Sequence, residues 1–154
     1  MKSLVASQGE DFLAIREAFR VGDASRVAFY TKRLQNHVLA PYAEYYQLRL
    51  YLVTADIGTI RAFLARHDGS LVADKMRGDW LRILGKKQQW ALFTEEYSKL
   101  GNKDEDLVCY SLQQRLAARD RAASDEARSL WFAGRDMPDS CTPVFNILIA
   151  AGEI

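Results

Sequence analysis

The chain of 154 residues is poor in the residues from which metal sites are built. It has two cysteines and two histidines. Cys109 and Cys141 stand 32 positions apart, no Cys-x-x-Cys pair occurs, and His37 and His67 are remote in sequence from both. Structural and catalytic zinc sites draw on cysteines and histidines at short, repeated spacings. The sequence therefore predicts no metal site, no cofactor and no catalytic constellation of its own.

Long apolar runs and an excess of one charge are also missing. No apolar stretch approaches the roughly 18 residues of a membrane-spanning helix, and the first residues are too short an apolar run for a secretory signal. The 21 basic and 20 acidic residues leave a net charge of +1, whereas non-specific nucleic-acid binding depends on clustered positive charge. We expect no membrane span and no nucleic-acid partner. The chain either stays inside the cell or is a mature segment without its signal.

Strand signals are absent, and helical ones replace them. No segment alternates apolar and polar residues, while apolar residues recur at steps of three and four along most of the chain. Acidic residues, serine and proline precede these runs and glycine follows them, as at helix ends. The pattern predicts an all-α protein of about nine helices, beginning near Glu10, Asp23, Leu39, Asp56, Ser70, Lys86, Asp104, Ser124 and Thr142. Gly22, Gly69, Gly85, Gly134 and Gly152 are the predicted stops.

The predicted helices form pairs with a near-regular period. Second members begin near Asp23, Asp56, Lys86 and Arg121, in steps of 33, 30 and 35 residues. Two short helices in a unit of this length are typical of an α-solenoid, whose units bury their apolar faces by stacking. We predict a single superhelical domain over residues 1–154. Because the ninth helix lacks a partner, we expect the chain to be a fragment of a longer protein.

The two cysteines allow two interpretations. They are either separate buried thiols or a bridge that ties the hairpin after Asp104 to the loop that follows it. Cys141 lies in the turn-rich sequence Asp-Met-Pro-Asp-Ser-Cys-Thr-Pro. A loop cysteine has less of a packing reason to be present, which favours the bridge.

Three patches resemble the helical region of the soluble lytic transglycosylases. The first is Pro-Tyr-Ala-Glu-Tyr at 41–45, similar to a helix start near the N-terminus of that family. The second is the segment 79–90, in which a short turn leads to Trp90. The third is the cysteine-bearing hairpin, with Cys109-Tyr110, Ala-Arg-Ser-Leu-Trp at 127–131, Ser140-Cys141 and Phe145. All three occur in the order and spacing of the family and together span most of the chain.

The resemblance implies both a fold and a role. These periplasmic enzymes of Gram-negative bacteria have a U-shaped superhelix of short helices before a lysozyme-like catalytic domain. They cleave the bond between N-acetylmuramic acid and N-acetylglucosamine in peptidoglycan and leave a 1,6-anhydromuramic end. The resemblance implies that Cys109 and Cys141 are paired and that the chain is the start of the superhelix. Its partners would be glycan strands, through the parent protein, and the parent's own catalytic domain.

The chain departs from the family in the part that matters for catalysis. The family's catalytic glutamate stands in a Glu-Ser context with a Gly-Leu-Met-Gln segment downstream, and neither motif is present. We therefore expect the parent to be an enzyme and this fragment to be inactive. Any glycan or partner contact in the fragment is predicted among Tyr42, Tyr45 and Tyr46, because a tyrosine can be half-buried with its hydroxyl in water.

Other conspicuous residues have ordinary interpretations. Glu95 and Glu96 are predicted to be a solvated helix face, since adjacent helical residues do not face each other. Trp80, Trp90 and Trp131, spaced along helices beside leucine and phenylalanine, are predicted to be core rather than sugar-stacking platforms.

Two other functions compete with the transglycosylase scaffold. One is a tetratricopeptide-like module that binds a partner peptide, against which stand the missing Trp-x-x-Leu-Gly-x-x-Tyr pattern and the uneven units. The other is a free-standing cytoplasmic helical bundle, in which Cys109 and Cys141 would be reduced.

Overall fold

The structure, a computed structural model, describes residues 4–154, with side chains from residue 8 onward. Within that range the secondary structure is entirely helical, with nine α-helices, one 3₁₀ turn and no strand. The helices are α1 (Leu4–Arg20), α2 (Ala24–Arg33), α3 (Ala40–Leu50), α4 (Ile57–Arg66), α5 (Leu71–Lys86), α6 (Trp90–Tyr97), α7 (Glu105–Ala117), α8 (Arg121–Trp131) and α9 (Thr142–Ala150), with the 3₁₀ turn at Asp139–Cys141. The all-α prediction is confirmed.

Aspartates begin several helices as predicted. Asp23, Asp56 and Asp104 are the N-caps of α2, α4 and α7, and each carboxylate accepts a hydrogen bond from the backbone N–H three residues on, at 2.7–3.1 Å. This bond satisfies one of the N–H groups that have no partner inside the helix. The backbone and hydroxyl hydrogen bonds that Thr59 donates lower the pKa of Asp56. Pro41 stands in the first turn of α3, where its missing N–H costs nothing.

Helix α8 begins at Arg121, the start that the repeat predicts. Its N-cap is Asp120, so the cap predicted at Ser124 is wrong. The Asp120 carboxylate accepts from the N–H of Ala122 at 3.0 Å and from Arg115 Nε at 2.7 Å. Arg119 has a φ of 64°, which ends α7. The polar break between the helices is therefore only a few residues long.

Helix α5 ends later than its sequence predicts. Gly85 was the predicted stop, but α5 continues through it to Lys86, and the residue with left-handed backbone is Gln88, at φ 58°. Gly85 is small because of packing: a Cβ there would lie 2.5 Å from Cγ of Tyr110 on α7. The sixth helix consequently begins at Trp90, later than the predicted Lys86.

The later start of α6 makes the repeat more regular. The second helices of the four pairs begin at Ala24, Ile57, Trp90 and Arg121, in steps of 33, 33 and 31 residues. With these more equal steps, the length of the units no longer counts against a tetratricopeptide-like module. The absence of that family's sequence pattern still counts against it.

The chain divides into two compact units. In the first, Met1–Met76, α1 packs against α2 and α3, and α2 packs against α3. A helix that contacts both the next helix and the one after it is what stacking of two-helix units requires. The buried centre of this packing consists of Ile15, Ala18, Val27, Leu34 and Ala43.

The second unit, Arg77–Ile154, repeats this arrangement. Its α7 packs against α8, α9 and the 3₁₀ turn, and α8 packs against α9. The buried centre contains Cys109, Leu112, Ala123, Ala127, Cys141, Val144 and Leu148. The alanines are fully buried because they lie where two helices approach closely.

The exposed large apolar residues include Leu71 and Trp131, of which Trp131 was predicted to lie in the core. Leu71 is 79% exposed at the first position of α5. Trp131 is 43% exposed at the end of α8, where its ring packs on Phe145 with centroids 5.1 Å apart. Trp80 is buried as predicted. Among the described helices, none combines the length and the apolar character needed to cross a bilayer.

The packing of Gly85 is testable by comparison with Gly78 of the same helix. Gly85→Ala pushes a methyl group into the ring of Tyr110, and we expect the free energy of unfolding to fall by about 1–3 kcal/mol. Gly78→Ala makes only ordinary contacts, at 3.5 Å and beyond, and should raise it by roughly 0.5–1 kcal/mol. Urea denaturation measures both. Equal effects would show that Gly85 has no special packing role.

The cap of α8 makes acid stability testable. The ordinary pKa of an aspartate is about 4. The hydrogen bond from Arg115 lowers the pKa of Asp120 below that value. The ionised Asp120 carboxylate therefore makes its full contribution to the free energy of unfolding above about pH 4. This contribution is lost as the pH falls through the lower pKa of the folded state. In Asp120→Asn, which retains a capping side chain, the free energy of unfolding should fall less steeply between pH 4 and pH 2 than in the unsubstituted chain. The exposed Asp136→Asn is the control and should leave that slope unchanged.

Candidate functional site

Cys109 and Cys141 form a disulfide, as the resemblance predicted. Both are fully buried, and the bridge joins the first half of α7 to the 3₁₀ turn that precedes α9. Two hydrogen bonds reinforce this junction: Gln113 Nε2 donates to the carbonyl of Ser140 at 2.7 Å, and Ser140 Oγ donates to the carbonyl of Asp106 at 2.9 Å. The loop 132–141, which has little helix of its own, is therefore held on α7.

Removing this bridge should weaken the fold measurably. Cys109→Ala with Cys141→Ala frees a loop of 32 residues, and we expect a loss of about 3–4 kcal/mol in the free energy of unfolding in the chain-entropy model. A reducing agent should lower the melting temperature of the unsubstituted chain and leave that of the double variant unchanged. Thiol titration of the denatured, unreduced chain should find no free thiol. Two free thiols would contradict the bridge.

The tyrosines at the start of α3 differ in their surroundings. Tyr45 is 4% exposed, with Lys75 Nζ 5.1 Å from its ring centroid. Tyr46 is half-buried and contacts Phe19, at a centroid distance of 5.0 Å. Tyr42 is 36% exposed. Glycan contact at these residues stays a prediction, and of the three Tyr42 is the most accessible to a ligand.

Of the two carboxylates predicted to be solvated on α6, Glu95 is exposed and Glu96 is not. Glu96, predicted to be solvated, is 1% exposed. It accepts from Arg77 Nε at 3.1 Å and lies 3.3 Å from Lys99 Nζ. Its burial follows from the spacing of three residues that it shares with Phe93, which is buried on the same face of α6. Because a buried charge has to be paired, Glu96 belongs to the structure of the core and not to a catalytic cleft.

A groove of mixed polar and apolar lining crosses the faces of α2, α3 and α4 in the first unit. We call it the α2–α4 groove and define it by two adjoining cavities of about 530 Å³ and 440 Å³. The larger lies between the end of α2 and α3, and the smaller lies between α3 and α4. Glu44 and Gln47 line both. The remaining lining residues are Ala28, Thr31, Lys32, Gln35, Asn36 and Ala40 in the larger cavity, and Leu48, Thr59, Ala62, Phe63 and Arg66 in the smaller.

Helical periodicity explains which residues face the groove. Ala40, Glu44 and Gln47 are spaced by four and three residues and therefore share one stripe of α3. Asn36, in the turn after α2, has a φ of 67°, a left-handed conformation that asparagine adopts more readily than most residues. The spacing was visible in the sequence, but the depression that these stripes line depends on how three helices pack.

The charged groups at the centre of the groove are held in place. His67 Nε2 lies 2.8 Å from Glu44 Oε2, and Arg66 Nη2 lies 3.7 Å from the same oxygen. The guanidinium of Arg66 also lies 5.9 Å from the ring centroid of Phe63. Lys32 stands at the other end of the groove and is exposed. The site thus has a fixed acceptor at its centre and a cation toward each end.

The groove offers hydrogen-bonding groups to a ligand. No group of three or more histidine, cysteine, aspartate or glutamate side chains among the described residues is arranged to hold a metal ion. The groove was not predictable from the sequence, because glutamine, alanine and threonine carry no motif. The contact residues predicted from the sequence, Tyr42, Tyr45 and Tyr46, lie on α3, which also lines the groove.

Comparison with known proteins identifies the fold. No protein-family model and no curated protein matches the chain. Two solved structures do: the 70-kDa soluble lytic transglycosylase in its complex with bulgecin A, and the soluble lytic transglycosylase Slt70 from Escherichia coli. Their TM-scores are 0.72 and 0.73, and each is 19% identical over 99% of this chain. The chain has the helical fold of a soluble lytic transglycosylase segment.

This likeness confirms the resemblance at the level of the fold. Three short patches and two cysteines had pointed to the same proteins, and nearly the whole chain superimposes on them. The chain spans about a quarter of the length of either solved structure, since it covers 25% of each.

Proposed function

We propose that the chain is the N-terminal, non-catalytic helical scaffold of a periplasmic lytic transglycosylase. The parent enzyme would cleave the bond between N-acetylmuramic acid and N-acetylglucosamine and leave 1,6-anhydromuramic ends. The fold likeness to two soluble lytic transglycosylases over 99% of the chain is the observation that carries this proposal.

The buried disulfide supports a periplasmic location. Disulfides persist in oxidising compartments and are rare in the cytosol, where thiols are kept reduced. Cys109 and Cys141 are the only cysteines of the chain, and both are used in the bridge. A free-standing cytoplasmic bundle would gain nothing from such a pair.

The carboxylates of the chain support a non-catalytic role. A transglycosylase needs a carboxyl that first gives a proton to the glycosidic oxygen and then takes one back, inside a cleft that admits the sugar. Glu96 is buried against Arg77, and Asp11, 7% exposed, is paired with Arg33 at 3.0 Å. Glu44 lines an open groove but is engaged with His67. These carboxylates serve packing and positioning.

The scaffold would act by shape and stiffness. Each unit stacks a helix on its second neighbour, and in the second unit the disulfide pins the connecting loop to α7. Such an array holds its form when a polymer is drawn along it, and it gives the catalytic domain a fixed position. Its partners would be peptidoglycan glycan strands and the parent's catalytic domain.

The proposal is tested by digesting purified peptidoglycan sacculi. The chain 1–154 alone should release no anhydromuropeptides, whereas the product of the whole reading frame should release them. In that product, Cys109→Ala with Cys141→Ala should shorten the half-life of activity at 37 °C and leave the initial rate unchanged, because the bridge stabilises the scaffold and touches no substrate. Gln114→Ala, at a partly exposed position of α7, is the matched control.

Either of two results would contradict the proposal. Release of anhydromuropeptides by residues 1–154 would rule out the non-catalytic role. A reading frame that lacks a domain with the Glu-Ser and Gly-Leu-Met-Gln motifs would rule out the transglycosylase parent. A tetratricopeptide-like peptide-binding module would then be favoured, since the helix pairs repeat every 33, 33 and 31 residues.

A further inference from the structure

We infer that the two histidines of the chain, His37 and His67, make the first unit respond to pH. On acidification His37 releases the start of α3, while His67 tightens its bond to Glu44. Histidine is the side chain whose charge ordinarily changes between pH 5 and pH 8. The inference concerns the folded chain by itself and does not depend on the proposed function.

The hydrogen bond of His37 requires an uncharged ring. The backbone N–H of Leu39 donates to Nδ1 of His37 at 3.1 Å, and a backbone N–H can only donate. Nδ1 therefore carries no proton, and the single ring proton lies on Nε2. Both ring nitrogens of the imidazolium carry protons, so this hydrogen bond is lost when the ring becomes charged.

The surroundings of His37 give a charged ring nothing in return. Leu39 is the N-cap of α3 and provides no side-chain hydrogen bond, so a cation at His37 stands near the positive end of the helix dipole. Lys32, which lines the larger cavity together with Asn36, is a further cation beside this turn. Within the described part of the chain, no carboxylate pairs with His37. Protonation therefore costs the turn 34–39 one hydrogen bond and adds no ion pair.

His67 is placed in the opposite way. It is the C-cap of α4, at the negative end of the helix dipole, where a cation is favoured. Its Nε2 lies 2.8 Å from Oε2 of Glu44 on α3. Because an ionised carboxylate only accepts, Nε2 is the donor whether the ring is neutral or charged. Protonation turns this bond into a charge-assisted one, which is the stronger kind.

The other groups around His67 do not reverse this preference. Arg66 lies 3.7 Å from the same oxygen of Glu44 and repels a second cation, but its side chain is 57% exposed and that of His67 only 16%. The ring of Phe63 lies 4.7 Å from the imidazole, and Asp68 follows His67 in the chain as an exposed carboxylate. The shorter and less exposed contact with Glu44 therefore decides the sign.

Both changes act on the α2–α4 groove. Asn36 lines the larger cavity and adjoins His37, so the loss of the bond to Leu39 releases that wall. Glu44 lies where the two cavities meet, and a stronger bond to His67 holds its carboxylate toward α4. Acidification thus frees one end of the groove and fixes its centre.

Amide hydrogen exchange of the chain 1–154 tests the response of His37. Between pH 7.5 and pH 5, the protection factor of the Leu39 amide, corrected for the intrinsic effect of pH, should fall about fivefold, as expected for one lost hydrogen bond. His37→Asn places a carbonyl acceptor near the position of Nδ1 and never becomes charged. In that variant the protection should be the same at both pH values. His67→Gln is the matched control and should retain the fall.

Urea denaturation tests the response of His67. His67→Gln keeps an N–H donor for Glu44 but carries no charge at any pH. Its urea midpoint should lie further below that of the unsubstituted chain at pH 5, where a glutamate is ordinarily still ionised, than at pH 7.5. When Glu44→Gln is already present, His67→Gln should have the same effect at both pH values, because the pair is then broken in either case.

The inference requires both responses. Protection of the Leu39 amide that does not change with pH, or that falls equally in His37→Asn, would overturn it. A midpoint difference for His67→Gln that is no larger at pH 5 than at pH 7.5 would do the same. Neither measurement involves a glycan or a catalytic domain, so these failures are distinguishable from failure of the proposed function.

Discussion

A two-helix unit of this chain cannot cover its own apolar surface, and the remaining structure depends on that constraint. The described helices are 8–17 residues long. Burying their apolar residues requires the next helix and also the one after it, which is why α1 contacts α3 and α7 contacts α9. Stacking of this kind brings helix axes close together, so positions at the contacts hold small residues such as Gly85, Ala123 and Ala127.

The two units secure their packing by different means. The second has a disulfide at the centre of its apolar cluster, together with Glu96 buried against Arg77. The first has no cysteine and relies on its apolar centre and on ion pairs between helices, among them Arg33 with Asp11. A buried ion pair such as that of Glu96 with Arg77 adds little net stability, but it is costly to break because a lone charge would remain. Such pairs therefore fix which helix packs against which.

The proposed function divides labour between this chain and a catalytic domain. Acid–base chemistry on a glycosidic bond needs one carboxyl in a closed cleft, and a repeat of short helices provides broad, open surfaces instead.

The all-α class, the helix starts at Asp23, Asp56 and Asp104, and the disulfide partners were all accessible from the sequence. Helix caps and apolar periodicity are local, because they depend on residues three or four positions apart. The pairing of Cys109 with Cys141 was implied by the family resemblance. Contacts between helices are not local. The passage of α5 through Gly85, the burial of Glu96, the exposure of Trp131 and the groove beside Glu44 each depend on which helix lies opposite. The tertiary structure decided these features. A glycine that favours a helix end, or a glutamate that favours a solvated face, takes that place only where the packing of the neighbouring helices allows it.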